Sequence, residues 1–241
     1  MNSFPFGAFF SEFFTSLPEI LPRLLLAWLA SFLVINGLLL WIKTRVRPHV
    51  LRVDSRIRSW ARTLRYEDVT ATGPGSAERH ARTLFFRFWT NFASAPALIC
   101  LSLGVAVWAK GHWQQPKMWY LPGLCYAGSM LLSFVSKRVF KRIRPERVAG
   151  AFGHKLKDGS FPSGHSLTSF CFWMMLAATA AIVGISLSWI GVLVAAAILI
   201  VTLTGLSRVY LGVHFPTDVL GGYSMGLIWC VVCYFVLRPA L

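Results

Sequence analysis

Hydrophobic residues along this chain are grouped in long blocks, not in the short periods of a soluble domain. Six blocks of 18 to 22 residues contain no Lys, Arg, Asp or Glu: 24–42, 88–109, 118–135, 167–185, 189–206 and 219–237. About 20 apolar residues in a helix cross the hydrocarbon of a bilayer. The pattern therefore predicts an all-α integral membrane protein, a six-transmembrane helical bundle that forms a single membrane domain over residues 1–241.

The polar segment after the first block carries a second helical pattern. An apolar stripe recurs at helical spacing, and basic residues fill much of the remaining surface; the stripe is Val50, Val53, Ile57, Trp60 and Leu64, and the basic residues are Arg52, Arg56, Arg58, Arg62 and Arg65. This pattern predicts an interfacial amphipathic helix in the first long loop, lying on an anionic bilayer surface. A role in recruiting substrate is the alternative.

Charge and cysteine content narrow the class of partner. The net charge is +15, but the basic residues lie in loops and beside the membrane ends, where anionic lipid and not nucleic acid is the nearer partner. All five cysteines fall inside apolar blocks, so no disulfide framework is expected. Cys230 and Cys233 form a C-x-x-C pair, which we interpret as packing residues and, alternatively, as a redox pair.

Six spans place the loops after spans one, three and five on one side of the membrane. The loops 136–166 and 207–218 should therefore meet. In the first, Lys137, Lys141 and Arg144 are spaced to share one face of a helix that Pro145 ends. Taken alone, these cations are an ordinary membrane flank.

Two further motifs follow. Pro162-Ser163-Gly164-His165 is a turn of small residues at the start of an apolar helix, which suits an anion but also fits a helix capped by Ser163. In the other loop, Pro216 can open the last span with Asp218 in its first turn, and His214 precedes Asp218 by four residues. A carboxylate at that spacing can orient an imidazole.

Together the motifs supply the components of phosphoryl transfer. Lys137, Arg144 and Arg208 can neutralise phosphate oxygens, and the amides at 163–165 can donate to them. One imidazole can attack phosphorus and the other can protonate the leaving oxygen. Only nine acidic residues are present, and Glu146, Asp158 and Asp218 alone are near these loops in sequence. We therefore expect no metal and no cofactor.

The three motifs resemble the signature of the type 2 phosphatidic acid phosphatase superfamily, the lipid phosphate phosphatases: K-x6-R-P, P-S-G-H and S-R-x5-H-x3-D. The resemblance covers roughly residues 88–237. It implies that His214 is the nucleophile of a phosphohistidine intermediate, oriented by Asp218, and that His165 is the general acid. It implies a phosphate-binding set of Lys137, Arg144, Ser163, Gly164 and Arg208, and a reaction without a metal ion.

The expected function is removal of phosphate from a lipid phosphate or diphosphate. Substrates that the resemblance suggests are phosphatidic acid, phosphatidylglycerol phosphate, undecaprenyl diphosphate and lipid A phosphates. A lipid phosphotransferase with the same site and a non-enzymatic membrane transporter are the alternatives. The location indicated is a bacterial inner membrane. The resemblance implies a site facing the periplasm or exterior, whereas the basic loops beside the site favour the cytoplasm.

Overall fold

Helices make up all regular structure in the computed structural model, which describes residues 6–64, 76–112, 116–145 and 158–237. Seven α-helices lie in these ranges: α1 (Phe6–Leu64), α2 (Ser76–Phe92), α3 (Ala95–His112), α4 (Leu121–Phe140), α5 (Gly164–Ile182), α6 (Leu187–Tyr210) and α7 (Pro216–Leu237). A 3₁₀ turn, Pro116–Tyr120, leads into α4.

Five of these helical stretches are long and apolar enough to cross a membrane: Pro18–Trp41, Met118–Phe140, Gly164–Ile182, Leu187–Tyr210 and Pro216–Val236. A sixth crossing is possible if α2 and α3, which are bent by 48° at their junction, form one broken span. The prediction of an all-α membrane bundle is confirmed, with up to six spans.

The second span, expected over 88–109, is not one continuous helix. The chain turns between Phe92 and Ala95, with hydrogen bonds from the amide of Ala93 to the carbonyl of Thr90 (3.3 Å) and from that of Ser94 to Asn91 (3.0 Å). Pro96 lies in the first turn of α3, where a missing N–H costs nothing. The break places the end of α2 beside the end of α6.

The first helix also differs from expectation. The segment after the first span is not a loop, because α1 runs without a break to Leu64. Val53, Ile57 and Trp60 of the predicted stripe are exposed, as a face turned toward a bilayer would be, while the side chains of Val50 and Leu64 lie outside the described set. The face that packs on the protein carries Asp54 instead.

The bundle core is formed where α4, α5 and α7 meet, with α1 packed on its outside. Gly128 allows a close approach: the indole of Trp229 covers it, and Trp28 of α1 donates to its carbonyl (3.0 Å). Gly222 of α7 similarly lies against the backbone of Ser163 at the start of α5. Small residues at these crossings are what membrane helices need in order to pack closely.

We predict that Gly128→Ala destabilises the protein by about 1–3 kcal/mol, because its Cβ would overlap the fully buried indole of Trp229. Thermal unfolding in detergent measures the effect. Gly37→Ala is the matched control, since nothing lies within 4 Å of a Cβ there and Ala is the better helix former. Equal melting temperatures for the two variants would contradict this packing.

Candidate active site

The end of α4 sets the geometry of the first motif. The helix ends at Phe140, and Lys141 takes a left-handed conformation (φ 46°) with its amide bonded to the carbonyl of Lys137 (3.1 Å). The prediction that Lys137, Lys141 and Arg144 share one helical face was therefore wrong, because the chain leaves the helix at Lys141. Lys141 is exposed, whereas Lys137 and Arg144 still converge.

The chain after α4 is extended and pairs with the segment before α5. Ser160 donates its amide to the carbonyl of Arg142 (2.8 Å) and its hydroxyl to that of Ile143 (3.2 Å). Arg144 donates Nε to the carbonyl of Asp158 (3.2 Å). This pairing fixes Arg144 across the site from Lys137.

Asp158 lies between those two cations. Its carboxylate accepts hydrogen bonds from Lys137 Nζ and from Arg144 Nη2 (2.7 Å). Partial burial raises the pKa of Asp158, but the hydrogen bonds and charges of Lys137 and Arg144 outweigh this and lower it to about 2. The ionised carboxylate of Asp158 is therefore bound to Lys137 and Arg144, two of the residues expected to bind phosphate. The Asp158 side chain is 48% exposed.

The small-residue turn begins α5 at Gly164. Ser163 occupies the N-cap position, but its hydroxyl makes no cap hydrogen bond and instead accepts one from Ser166 (2.9 Å). The amide of Ser163 donates to the carbonyl of Asp218 (3.0 Å), so it is not available to an anion, contrary to the expectation from sequence. The amides that follow in the first turn have no acceptor within the helix.

Arg208 and His214 lie at the end of α6 and in the turn after it. Arg208 is buried and donates to the hydroxyl of Thr90 (2.6 Å) at the end of α2. The amides of Val213 and His214 both donate to the carbonyl of Arg208, at 3.2 and 3.3 Å. The broken second span thus supplies a partner for a predicted phosphate ligand.

The contacts of His214 assign its tautomer. Arg144 Nη1 lies 3.3 Å from Nε2 of His214 and, because a guanidinium can only donate, Nε2 must be the acceptor. The proton is then on Nδ1, 3.5 Å from Oδ2 of Asp218, which is too far for a formed hydrogen bond. Such catalytic contacts often shorten when substrate binds. Nε2 therefore has a lone pair that faces the cations.

Burial and charge keep this imidazole neutral. His214 is 3% exposed; desolvation first, and then the charges of Arg208, Arg144 and Lys137, lower its pKa well below the ordinary value of 6.5. Neutral imidazole is the nucleophilic form, and surrounding cations preserve it at neutral pH. The same cations would attract a phosphate dianion.

A cavity of about 530 Å³ adjoins these groups. At its polar end lie Lys137, Arg138, Asp158, Gly159, Gly164, His165 and Thr168. It then follows α4 toward the membrane interior past Phe134, Ser133, Met130 and Tyr126, with Ala93 and Ala95 of the α2–α3 break opposite. From Lys137 to Tyr126 this path runs about 16 Å along the helix. The cavity thus joins the part of the site around Lys137 and His165 to the apolar part of the bundle.

Two groups of residues in the described part of the chain carry side chains that metals bind. Asp158 and Asp218 are already paired with Lys137, Arg144 and Arg142, so they present no free carboxylate pair to a hard cation. The thiols of Cys125, Cys171 and Cys230 lie within 4.8 Å of one another in the bundle core, a geometry that thiophilic metals accept. None of these three cysteines belongs to the sequence motifs.

Sequence reasoning missed two residues that support the site. Arg142, between Lys137 and Arg144, donates to Asp218 (2.7 Å). Asp54 of α1 accepts from Arg142 (2.6 Å) and from Thr217. Asp54 is the one acidic residue in the basic stretch 43–65, and this break in the charge pattern was the available signal.

Comparison with known proteins identifies the family. The family model of the PAP2 superfamily matches residues 117–240, which contain all three motifs. The chain belongs to this superfamily, and the resemblance inferred from the motifs is confirmed.

Individual relatives agree with that assignment. Phosphatidylglycerophosphatase B of Bacillus subtilis is 38% identical over 109 residues, 44% of this chain and 51% of the relative. Putative undecaprenyl-diphosphatase YbjG of Escherichia coli is 31% identical over 131 residues, which are 54% of this chain and 62% of the relative. The chain thus aligns with between half and two thirds of the length of these curated relatives.

Solved structures extend the likeness beyond the motifs. A transmembrane PAP2 type phosphatidylglycerolphosphate phosphatase from Bacillus subtilis superposes with a TM-score of 0.66 at 26% identity, covering 89% of this chain and 96% of that one. Aquifex aeolicus LpxE shares the fold, with a TM-score of 0.51 at 24% identity; the superposition covers 75% of this chain and 93% of that one.

We predict that Asp158→Asn lowers KM for a phosphate-bearing substrate, and Ki for inorganic phosphate, by about threefold to tenfold. The carboxylate competes for Lys137 and Arg144, and at a partly exposed site one such charge is worth about 1 kcal/mol. Because the pKa of Asp158 is about 2, the effect should be constant from pH 5 to 8. Glu78→Gln, which removes an exposed carboxylate on α2, is the control; an unchanged Ki for phosphate would contradict the competition.

Proposed function

We propose that this protein is a membrane lipid phosphatase that removes a terminal phosphate from a lipid phosphate or diphosphate. The observation that carries the proposal is the cavity, which extends from Lys137 and His165 along α4 to the apolar interior. A phosphate head group fits the polar end and a lipid chain fits the other. The names of the relatives, phosphatidylglycerophosphatase and undecaprenyl-diphosphatase, support the same class.

In the proposed reaction, Nε2 of His214 attacks phosphorus while the P–O bond to the leaving group breaks. His165, which lines the cavity beside Gly164, donates a proton to the leaving oxygen. Lys137, Arg144, Arg208 and the first-turn amides of α5 hold the phosphoryl oxygens, and Asp218 balances the charge that develops on the imidazole. Water, deprotonated by His165, then hydrolyses the phosphohistidine and frees Nε2.

The test is phosphate release by the detergent-solubilised protein with EDTA present. Phosphatidic acid, phosphatidylglycerol phosphate, undecaprenyl diphosphate and lipid A phosphates are assayed in parallel, and the rate ranking gives the substrate class. We expect His214→Ala to lose at least about 10³-fold in rate, since the nucleophile is absent. With ³²P-labelled substrate and an alkaline quench, the wild type should retain an acid-labile label that His214→Ala lacks.

Release that depends on added metal, or that persists in His214→Ala, would refute this mechanism. A labelled enzyme that releases no phosphate until a lipid alcohol is added would instead establish a phosphotransferase. The mutant must first be shown to be folded, by a melting temperature within a few degrees of the wild type.

We further propose that the site lies on the outer face of a bacterial inner membrane, as the family resemblance implies. The opposing argument from basic loops is weakened because Lys137, Arg142 and Arg144 are committed to the site and its support. Ser59, exposed on the site end of α1 and away from the apolar stripe, provides the test. Ser59→Cys should react with a membrane-impermeant maleimide in intact spheroplasts; reaction only after lysis would reverse the orientation. The unsubstituted protein gives the background from its own cysteines.

A further inference from the structure

Asp54 is an unusual residue in its surroundings. It lies in a basic stretch of α1, outside the part of the chain that the family model matches, yet it is only 1% exposed. Burying an ionised carboxylate costs several kcal/mol unless it is paired and hydrogen-bonded. Its partners therefore show what this part of α1 is built to do.

One set of partners is the start of α7. Oδ1 of Asp54 accepts the backbone amide of Thr217 (3.1 Å), and Oδ2 accepts its hydroxyl (2.6 Å). Thr217 is the second residue of α7, so its amide has no acceptor within the helix. A carboxylate from 163 residues away thus caps the helix whose next residue is Asp218, at the end where negative charge is favoured.

The other partner is Arg142, which joins Asp54 to the active site. Nη2 of Arg142 donates to Asp54 (2.6 Å), and Nη1 donates to Oδ1 of Asp218 (2.7 Å) and to the hydroxyl of Thr217 (2.8 Å). Oδ2 of Asp218 accepts the amide of Phe215 (2.8 Å) and faces Nδ1 of His214. Hydrogen bonds thus link buried Asp54, through the partly buried Arg142, to Asp218, whose Oδ2 lies 3.5 Å from Nδ1 of His214.

The charges along this chain decide what Asp54 contributes. Arg142 and Asp218 alone sum to zero, so their pair would give little stabilisation to a positive imidazole. With Asp54 the three groups carry a net charge of −1. At Nε2, on the opposite side of the ring, lies Arg144, and the charges of Lys137 and Arg208 also act on the imidazole. His165 is nearby, and the carboxylate of Asp158 lies between Lys137 and Arg144. The surplus negative charge is thus on the Nδ1 side, where positive charge grows as Nε2 bonds to phosphorus.

We propose that Asp54 is a positioning residue of the active site: through Arg142 and Thr217 it fixes Asp218 and supplies the net negative charge that stabilises phosphorylated His214. This inference rests on the proposed phosphatase reaction. It assigns to α1, which contributes none of the three sequence motifs, a defined part in the chemistry.

The test compares Asp54→Asn, Asp54→Glu and wild type on the best lipid of the phosphate-release panel. Asp54→Asn should lower kcat by about tenfold to hundredfold, the loss typical of a misplaced catalytic group. KM should change less than about threefold, since the phosphate-binding cations are untouched. Asp54→Glu should recover part of kcat. Ser55→Lys, which makes the same change in net charge at the neighbouring exposed position, should retain wild-type rates.

The pH profile separates positioning from mere stability. The acid limb of kcat/KM follows protonation of His214 in the free enzyme. Removing a negative charge disfavours the imidazolium, so the limb of Asp54→Asn should move to lower pH. A residue with only a structural role would lower the melting temperature and the amount of active enzyme without moving the limb.

A double variant tests the charge argument even if Asp54→Asn folds poorly. Asp54→Asn with Arg142→Gln returns the net charge of the group to −1, and the Gln amide can still donate to Asp218. We expect this protein to exceed Asp54→Asn in kcat and to have an acid limb near that of wild type. Two outcomes overturn this inference alone, provided that the wild type is active on lipid. One is that kcat and the acid limb are unchanged in Asp54→Asn; the other is that the double variant is no better than Asp54→Asn. A wild type inactive on every lipid overturns the proposed function.

Discussion

The site depends on holding several cations together around a neutral imidazole in a place with little water. Two like charges about 4 Å apart repel by roughly 4 kcal/mol when the effective dielectric constant is about 20. Carboxylates beside the cations offset this repulsion. Asp158 pairs with both Lys137 and Arg144, and Arg142 pairs with both Asp54 and Asp218. The order of charges through the site is thus close to alternating, which lets positively charged residues accumulate at the end of a membrane bundle.

These carboxylates fall into two kinds. Asp54 and Asp218 are almost fully buried and accept hydrogen bonds from backbone amides as well as from Arg142, so they form a fixed framework. Asp158 is half exposed and makes its contacts with the groups that a phosphate would need. In the proposed reaction, a phosphate dianion, which carries more charge than one carboxylate, displaces it. On that proposal the fixed carboxylates orient the imidazole, and the exchangeable one holds Lys137 and Arg144 in place before substrate arrives.

Hydropathy and motif spacing predict much of this structure. The apolar blocks locate the spans because crossing hydrocarbon imposes length and composition on each helix. Three features escaped prediction for physical reasons. The turn at 93–94 lies within an apolar block, and hydropathy carries no information about direction. The left-handed residue that ends α4 is Lys141 and not glycine, the residue that usually signals such a helix end in a sequence. The contact of Asp54 with Thr217 spans 163 residues, beyond the reach of any local pattern.

The long first helix gains a physical explanation from the same contacts. A helix that continues past the membrane among basic residues, with its apolar stripe exposed, has little reason to be ordered by its own packing. Capping α7 and pairing with Arg142 gives it a buried polar anchor, and the exposed Val53, Ile57 and Trp60 leave its outer face to the bilayer. Because a buried carboxylate without partners is so costly, Asp54 stabilises this part of α1 only when Arg142 and the start of α7 are in place beside it. The outer helix of the bundle and the residues around His214 are thus joined by the same hydrogen bonds.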